Sequence, residues 1–182
     1  SLTATGRTTT DLVTTLAAAG FVIGVLNSSG LGFALTMWLV GLAGNSLAVL
    51  LLISAVVGLI LGMGMPTTAV YVLLAVLAAP ALVQAGVTKL AAHMFIFYFG
   101  MLSMITPPVA LAAYAAATIS KAGPMETGFA ACRIGWAKFV LPFMFVLSPT
   151  LLMPGPVFGI VFDTITAMAG VYVATCGMIG YF

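Results

Sequence analysis

Long apolar runs alternate with short clusters of Gly, Pro, Ser and Thr along this chain. No charged residue lies between Asp11 and Lys89, a stretch long enough for about three or four membrane crossings of about 20 residues each. Uncharged apolar runs of this length are typical of membrane-spanning helices. The pattern therefore predicts an all-α, polytopic integral membrane protein whose outer surface is covered by the lipid bilayer.

The positions of the apolar runs divide the chain into three regions, over residues 1–45, 46–125 and 126–182. In the first region we predict a membrane helix over residues 11–26, with N-cap oxygens from Thr8 to Thr10. A short amphipathic segment follows over residues 31–42, and its Trp38 suits a membrane interface. We expect this segment to lie along the membrane surface.

The second region begins with a predicted hairpin over residues 46–80. Its apolar arms, 47–61 and 69–79, are separated by Gly62-Met63-Gly64-Met65-Pro66-Thr67-Thr68, and Pro80 ends the second arm. Each arm is roughly 16–24 Å long as a helix, whereas the hydrocarbon core is about 30 Å thick. Each arm reaches the membrane interior without crossing it, so the pattern predicts a re-entrant helical hairpin.

Thr106-Pro107-Pro108 interrupts the next apolar run, which covers residues 89–120. A Pro in a helix interior costs about 3 kcal/mol, so two adjacent prolines break the helix. We predict a discontinuous transmembrane helix with halves over residues 91–105 and 108–120. Four of the five lysines and arginines fall on one membrane face whether this segment crosses the bilayer or re-enters it, so both courses stay open.

The third region contains two further predicted membrane helices, over about residues 126–153 and 157–180, separated by Gly155-Pro156. The last helix carries Asp163 within about two turns of its start. An ionisable residue inside a membrane helix suggests a function by default, but this position favours the interface. We therefore interpret Asp163 as an interfacial residue.

The overall composition supports the membrane assignment. Hydrophobic residues make up 63% of the chain and charged residues 4%, whereas soluble domains carry roughly 25% charged residues. The net charge of +2 is too small to indicate a nucleic-acid partner. The chain opens with Ser1 and has no signal-like segment, so we expect a fragment of a longer protein.

The two interruptions are the candidate functional site. Helix starts attract anions, and unwound carbonyls coordinate cations, when helices break at membrane depth. Hard cations prefer carbonyl and hydroxyl oxygens, so we predict a sodium site with ligands among Gly62, Gly64, Thr67, Thr68, Ser103 and Thr106. We predict substrate contacts at Pro66, Thr67, Thr106, Pro107 and Pro108, with the helix starts at Thr67 and Pro108 facing a carboxylate. Close packing or kinking is the alternative role for these residues.

No arrangement of residues indicates an enzyme. His93 is the single histidine, and no nucleotide-binding motif is present, because Gly62-Met63-Gly64 lacks the third glycine of a dinucleotide fingerprint. We predict no catalytic residue and no cofactor beyond a coupling sodium ion. We interpret His93 as an interfacial polar residue beside Lys89, although a membrane-embedded enzyme using His93 stays an alternative. The isolated Cys132 and Cys176 are interpreted as packing residues.

Two sequence blocks resemble one known family. The first block covers residues 62–71, and the second covers residues 92–100 and continues through residues 103–110. Both are similar to the large membrane subunit of tripartite ATP-independent periplasmic (TRAP) transporters. The similarity is greatest to the branch with fused small and large membrane domains, which works with TAXI-type binding proteins. It extends over about residues 10–153.

The resemblance implies a sodium-coupled permease of the bacterial inner membrane that imports small organic acids delivered by a periplasmic solute-binding protein. It implies two inverted repeats, each with a hairpin and a broken helix, and an elevator movement of a transport domain against a scaffold. This chain is similar to the second repeat, so the implied partners include the remaining repeat and the small membrane domain. Residues 1–45 would belong to the scaffold, and residues 46–125 to the transport domain.

The family's pattern also implies that residues 62–68 and the break at Thr106-Pro107-Pro108 help to form a sodium site and border the substrate. The alternative is a structural or scaffolding membrane subunit that does not transport. In that case Thr67 and Thr106 would tolerate replacement by Val, since nothing polar would depend on them.

Overall fold

The computed structural model describes residues 28–44 and 46–179, together with isolated positions between residues 6 and 25. This part of the chain is helical and contains no strand. Its elements are α1 (Leu31–Ala43), α2 (Leu47–Gly62), α3 (Thr67–Leu77), α4 (Ala79–Gln84), α5 (Lys89–Leu102), α6 (Leu111–Ser120), α7 (Pro124–Ile134), α8 (Ala137–Leu147), a 3-10 helix (Pro149–Leu152) and α9 (Val157–Ile179). The all-α prediction is confirmed, whereas the predicted helix over residues 11–26 lies largely outside the described residues.

Helices α2 and α3 form the predicted helical hairpin, with residues 63–66 as its non-helical tip. The Ser46 hydroxyl begins α2 by accepting the Val49 N–H at 3.5 Å. The prediction that Pro80 ends the second arm is wrong, because α3 already ends at Leu77 and Pro80 lies in the first turn of α4. Proline is tolerated there, since the first N–H groups of a helix have no intrahelical partner.

The discontinuous helix is also present, but its interruption is longer than predicted. Helix α5 ends at Leu102 and α6 begins at Leu111, so residues 103–110 are not helical. The predicted halves, 91–105 and 108–120, are therefore wrong at the break. Prolines disfavour helical geometry in the residues before them, and Ala110, with φ of 32°, is in the left-handed region just before α6 begins.

Helix α5 is the centre of the core. It packs against α2, α3, α4 and α8, and its Phe95, Ile96 and Phe99 are all buried. Glycines allow these close contacts: a Cβ at Gly58 of α2 would lie 3.0 Å from the Phe99 Cβ, and one at Gly100 would lie 2.7 Å from the Val70 Cγ1. Small residues at helix contacts are the usual means of close packing among apolar helices.

Helix α1 packs against α2, α3 and α4 through one face that contains Gly32, Thr36, Leu39 and Ala43. Its exposed side carries large apolar side chains, including Phe33 and Trp38. The predicted amphipathic pattern is therefore wrong, because the polar Thr36 faces inward and donates to the Gly32 carbonyl at 2.9 Å. The placement of α1 along the membrane surface stays a prediction.

Two segments are long and apolar enough to cross a membrane, judged by length and composition within the described residues. They are Pro124–Leu147, which comprises α7 and α8, and Val157–Gly177 within α9. The predicted helix over residues 126–153 ends earlier, because Ser148 leaves the helical conformation and a 3-10 helix follows. The two helices of the hairpin, α2 and α3, and the two halves of the discontinuous helix, α5 and α6, are shorter, at 10–17 residues each.

The contact at Gly62 gives a test of this packing. A Gly62→Ala substitution would place a methyl group 2.5 Å from the Ser103 Oγ and 2.8 Å from the Gly100 carbonyl oxygen. We expect it to lower the free energy of unfolding by about 1–3 kcal/mol, the usual cost of overpacking. The measurement is the denaturation midpoint of the purified protein in detergent.

Gly41→Ala is the matched control, because Gly41 is also helical and a Cβ added there would have no neighbouring atom within 4 Å. We expect this variant to be as stable as the unsubstituted chain or slightly more so, since Ala favours helix over Gly. Equal stability of the Gly62→Ala and Gly41→Ala variants would contradict the packing described for α2 and α5.

Candidate functional site

The two interruptions meet in the structure. Gly62, at the end of α2, is buried, and its Cα faces Ser103 and Gly100 at the end of α5. No side chain other than hydrogen fits between these segments, because a Cβ on Gly62 would overlap the Ser103 Oγ at 2.5 Å. The hairpin tip and the break in the discontinuous helix therefore form one contiguous region.

The predicted hydroxyl ligands on the break are held in defined orientations. Ser103 is buried and its Oγ donates to the Gly100 carbonyl oxygen at 2.6 Å. The half-buried Thr106 donates from its Oγ1 to the Leu102 carbonyl oxygen at 2.7 Å. Each hydroxyl uses its proton in this way and keeps oxygen lone pairs available. Both oxygens can therefore still act as ligands to a cation.

The backbone of the break is satisfied largely within the protein. The Met104 carbonyl accepts the Ala112 N–H at 3.0 Å, and the Thr106 carbonyl accepts the Ala110 N–H at 3.2 Å. The Ile105 carbonyl accepts from the Cys132 Sγ at 3.4 Å. Each of these carbonyl oxygens retains a second lone pair. None of them lacks a hydrogen bond, whereas the sequence interpretation expected unwound carbonyls without partners. The break is a folded turn and not an unravelled strand.

The two prolines lie on different sides of this turn. Pro107 is half-buried against α7, where a Cβ on Gly128 would lie 2.9 Å from the Pro107 Cγ. Pro108 is exposed, and its carbonyl accepts from the Tyr114 hydroxyl at 2.6 Å. The peptide bond between the two prolines is cis. Helix α7 and the first turns of α6 therefore pack against the break and hold its conformation.

The prediction that a helix starts at Pro108 is wrong. Helix α6 begins three residues later, at Leu111, after the left-handed Ala110. One of its first N–H groups, that of Ala112, is already bonded to the Met104 carbonyl. The second half-helix is thus partly capped by the turn itself, and this weakens its capacity to bind an anion.

The start of α3 has no such cap. Pro66 is the N-cap residue and provides no side-chain hydrogen bond, and the first backbone bond runs from the Val70 N–H to the Pro66 carbonyl at 3.1 Å. The preceding N–H groups of the helix have no intrahelical partner. In the part of the chain that the structure describes, the hydroxyls of Thr67 and Thr68 also lack partners. This helix start has the free donors that an anion requires.

The other predicted residues of the tip differ in exposure. Gly64 has a φ of +79°, which favours glycine, and is exposed. Pro66 and Thr68 are exposed, while Thr67 is half-buried. The Gly62 carbonyl accepts a long hydrogen bond of 3.5 Å from the Met65 N–H. The predicted ligands are therefore distributed between a buried part near Ser103 and an exposed tip.

A cavity of about 400 Å³ lies between the tip, the break and α8. Of the predicted site residues, Thr67 lines it. The cavity is also lined by side chains that the sequence interpretation did not select, including Tyr98, Met101, Met104, Lys138 and Leu141. Lys138 had a signal in the sequence, since it is a charged residue next to a long apolar run.

Two other sets of polar residues form local pairs. The Tyr71 hydroxyl lies 3.1 Å from the His93 Nδ1, so the imidazole joins α5 to α3. Thr150 donates a hydrogen bond to the half-buried Asp163 carboxylate, which joins the 3-10 helix to α9. Cys132 and Cys176 are both free and half-buried. Over residues 28–44 and 46–179, no group of three His, Cys, Asp or Glu side chains is placed to hold a metal ion.

Short apolar helices arranged as a hairpin and as two halves of an interrupted helix are features of a membrane transporter component. A family model described as "Tripartite ATP-independent periplasmic transporter, DctM component" matches residues 1–160. The chain belongs to this family, which is a transporter family and not an enzyme family. Searches of curated proteins and of solved structures found no significant match. The resemblance to the TRAP large subunit is confirmed, and the fused branch stays a prediction.

The Tyr71–His93 pair allows a test of the contact between α3 and α5. We expect Tyr71→Phe to lower the free energy of unfolding by about 0.5–1.5 kcal/mol, because it removes one hydrogen bond and keeps the ring. The ring still packs edge-to-face against Phe97 at 5.5 Å between centroids. Denaturation in detergent of Tyr71→Phe, His93→Phe and the double variant measures the coupling free energy. Additive effects of the two substitutions would show that the hydrogen bond does not form.

Proposed function

We propose that this chain is part of a sodium-coupled permease of the bacterial inner membrane, which imports small organic acids delivered by a periplasmic solute-binding protein. Membership of the TRAP large-component family supports the permease role. The observation that carries the proposal is the contact of Gly62 with Ser103, because it places both interruptions of the helical structure at one site.

The proposed sodium ligands are oxygens of Gly62, Gly64, Thr67, Thr68, Ser103 and Thr106. Sodium binds oxygen ligands without needing a carboxylate cluster, so backbone and hydroxyl oxygens suffice. Ser103 and Thr106 are the best-oriented members, since each hydroxyl proton is bonded within the protein and the oxygen lone pairs are free to face a cation. The proposed substrate contacts are Pro66, Thr67, Thr106, Pro107 and Pro108, with Pro108 contributing as part of the turn and not as a helix start.

The assembly we propose follows the tripartite description of the family. This chain would work with a remaining repeat, a small membrane domain and a periplasmic solute-binding protein. Substrate sites of such transporters lie where repeats meet, so a second repeat would complete the site formed by the hairpin tip and the break. Large exposed apolar side chains on α9, such as Phe158, Phe162 and Tyr172, provide area for lipid or for such partners.

Thr106 gives the most direct test of sodium coupling. We expect Thr106→Val to raise the sodium concentration needed for half-maximal uptake at least tenfold, because a tenfold change corresponds to about 1.4 kcal/mol for the loss of one oxygen ligand. Thr106→Ser keeps the hydroxyl and is expected to stay within about threefold of the unsubstituted transporter, a difference below about 0.7 kcal/mol. The measurement is solute uptake by the complete transporter in proteoliposomes at varied sodium concentration.

Thr118→Val is the matched control. Its hydroxyl likewise donates to a nearby backbone carbonyl, that of Ala115 at 2.7 Å, but it lies near the exposed end of α6. We expect uptake by this variant to keep its sodium dependence. Unchanged sodium dependence in both Thr106→Val and Thr118→Val would favour the structural-subunit alternative.

A further inference from the structure

The cavity between the hairpin tip and α8 contains one cationic side chain that the proposed function has not used. Its volume of about 400 Å³ lies within the range of small-molecule sites, about 300–1,000 Å³. Lys138 reaches it from the first turn of α8, and Thr67 reaches it from the first residue of α3. An ammonium group and an uncapped helix start therefore line the same cavity.

Lys138 is the single charged residue of the otherwise apolar helix α8. It lies inside the segment Pro124–Leu147, which is long and apolar enough to cross a membrane. Helix α7 ends at Ile134, and Lys138 lies in the first turn of α8, where its side chain is exposed. A charged side chain within a membrane span is expected to face a partner or a water-filled cavity.

Lys138 has no such partner within the described residues. Its ammonium group forms neither a hydrogen bond nor an ion pair there. The Asp163 carboxylate is hydrogen-bonded to Thr150, and Glu126 lies on the exposed first turn of α7, where its side chain is close to Gly123. The ammonium is therefore available to an anion that enters the cavity.

We propose that Lys138 binds the carboxylate of the transported solute, together with the N–H groups and hydroxyl at the start of α3. This inference rests on the proposed function, because it assigns the anion site of the same permease. The positive end of a helix and a nearby ammonium group favour one carboxylate together. The ligand class that we propose is a small monocarboxylate, because this part of the site supplies a single lysine.

The rest of the cavity selects the body of the solute. Met101, Met104 and Leu141 give it an apolar wall, and the Tyr98 hydroxyl is a polar group on α5. A short aliphatic chain, with or without one additional polar oxygen, fits this lining. A dicarboxylate would need a second cationic partner, which the described lining residues do not include and a second repeat would have to supply.

The test is direct binding to the complete purified transporter in saturating sodium, measured by calorimetry. The probes are sodium butyrate, sodium 2-oxobutanoate and sodium hexanoate, each compared with its uncharged amide. We expect at least one acid to bind at least tenfold more tightly than its amide. Lys138→Gln is expected to weaken binding of that acid at least tenfold and to leave the amide unchanged, whereas Lys138→Arg stays within about threefold.

Lys121→Gln is the matched control, because Lys121 is likewise an exposed lysine near a helix end but does not line the cavity. It is expected to bind the acid like the unsubstituted protein. Unchanged acid binding by Lys138→Gln, or a failure of all three acids to bind, overturns the proposal, and Lys138 is then an interfacial cation.

A failure of this proposal is distinguishable from a failure of the proposed function. Sodium binding to the same purified samples is measured without any solute, and Lys138→Gln is expected to bind sodium at least as tightly as the unsubstituted protein, because it removes a positive charge and no oxygen ligand. If Thr106→Val removes sodium dependence while Lys138→Gln binds acids normally, the permease role stands and the assignment of Lys138 fails.

Discussion

Backbone groups that leave a helix among apolar neighbours must find partners within the protein, and the turn at residues 103–110 depends on this requirement. An unpaired N–H or C=O group in hydrocarbon costs several kcal/mol. Here the carbonyls of Met104, Thr106 and Pro108 accept from Ala112, Ala110 and Tyr114, so the interruption is a closed structure. Two separate bonds orient the Ser103 and Thr106 hydroxyls, which donate to the carbonyls of Gly100 and Leu102 in the preceding turn.

The structure also requires close contact between the break and the hairpin, and glycines allow this contact. Gly58 and Gly62 of α2 and Gly100 of α5 remove side chains where the helices approach most closely. Among helices in lipid the hydrophobic effect does not distinguish a protein neighbour from a lipid tail, so contact area and fit must hold the helices together. The small residues at the tip therefore hold the hairpin against the break, and in the proposed site the same contact would bring the candidate ligands together.

The helical class, the hairpin and the broken helix were predictable from the sequence because apolar runs and prolines act locally. The length of the break was not, since its ends depend on contacts from α7 and α6, such as Cys132 with Ile105 and Tyr114 with Pro108. The amphipathic interpretation of α1 was wrong because its exposed face is apolar and its Thr36 is buried, and the side on which a helix packs is decided by its neighbours α2, α3 and α4. Lys138 was visible in the sequence, but only the packing of α8 against α5 places it beside Thr67.

A lysine in the proposed anion site also gives a physical reason for coupling between sodium and solute. Thr67, one of the proposed sodium ligands, lines the same cavity as Lys138, so a sodium ion at that end of the proposed site would repel the Lys138 ammonium. Two unit charges about 8 Å apart repel by about 2 kcal/mol at an effective dielectric constant of 20. A carboxylate between them reverses the sign of the interaction with each cation. The sodium ion and the solute carboxylate would then strengthen each other's binding by direct electrostatic attraction. No conformational change linking separate sites would be needed.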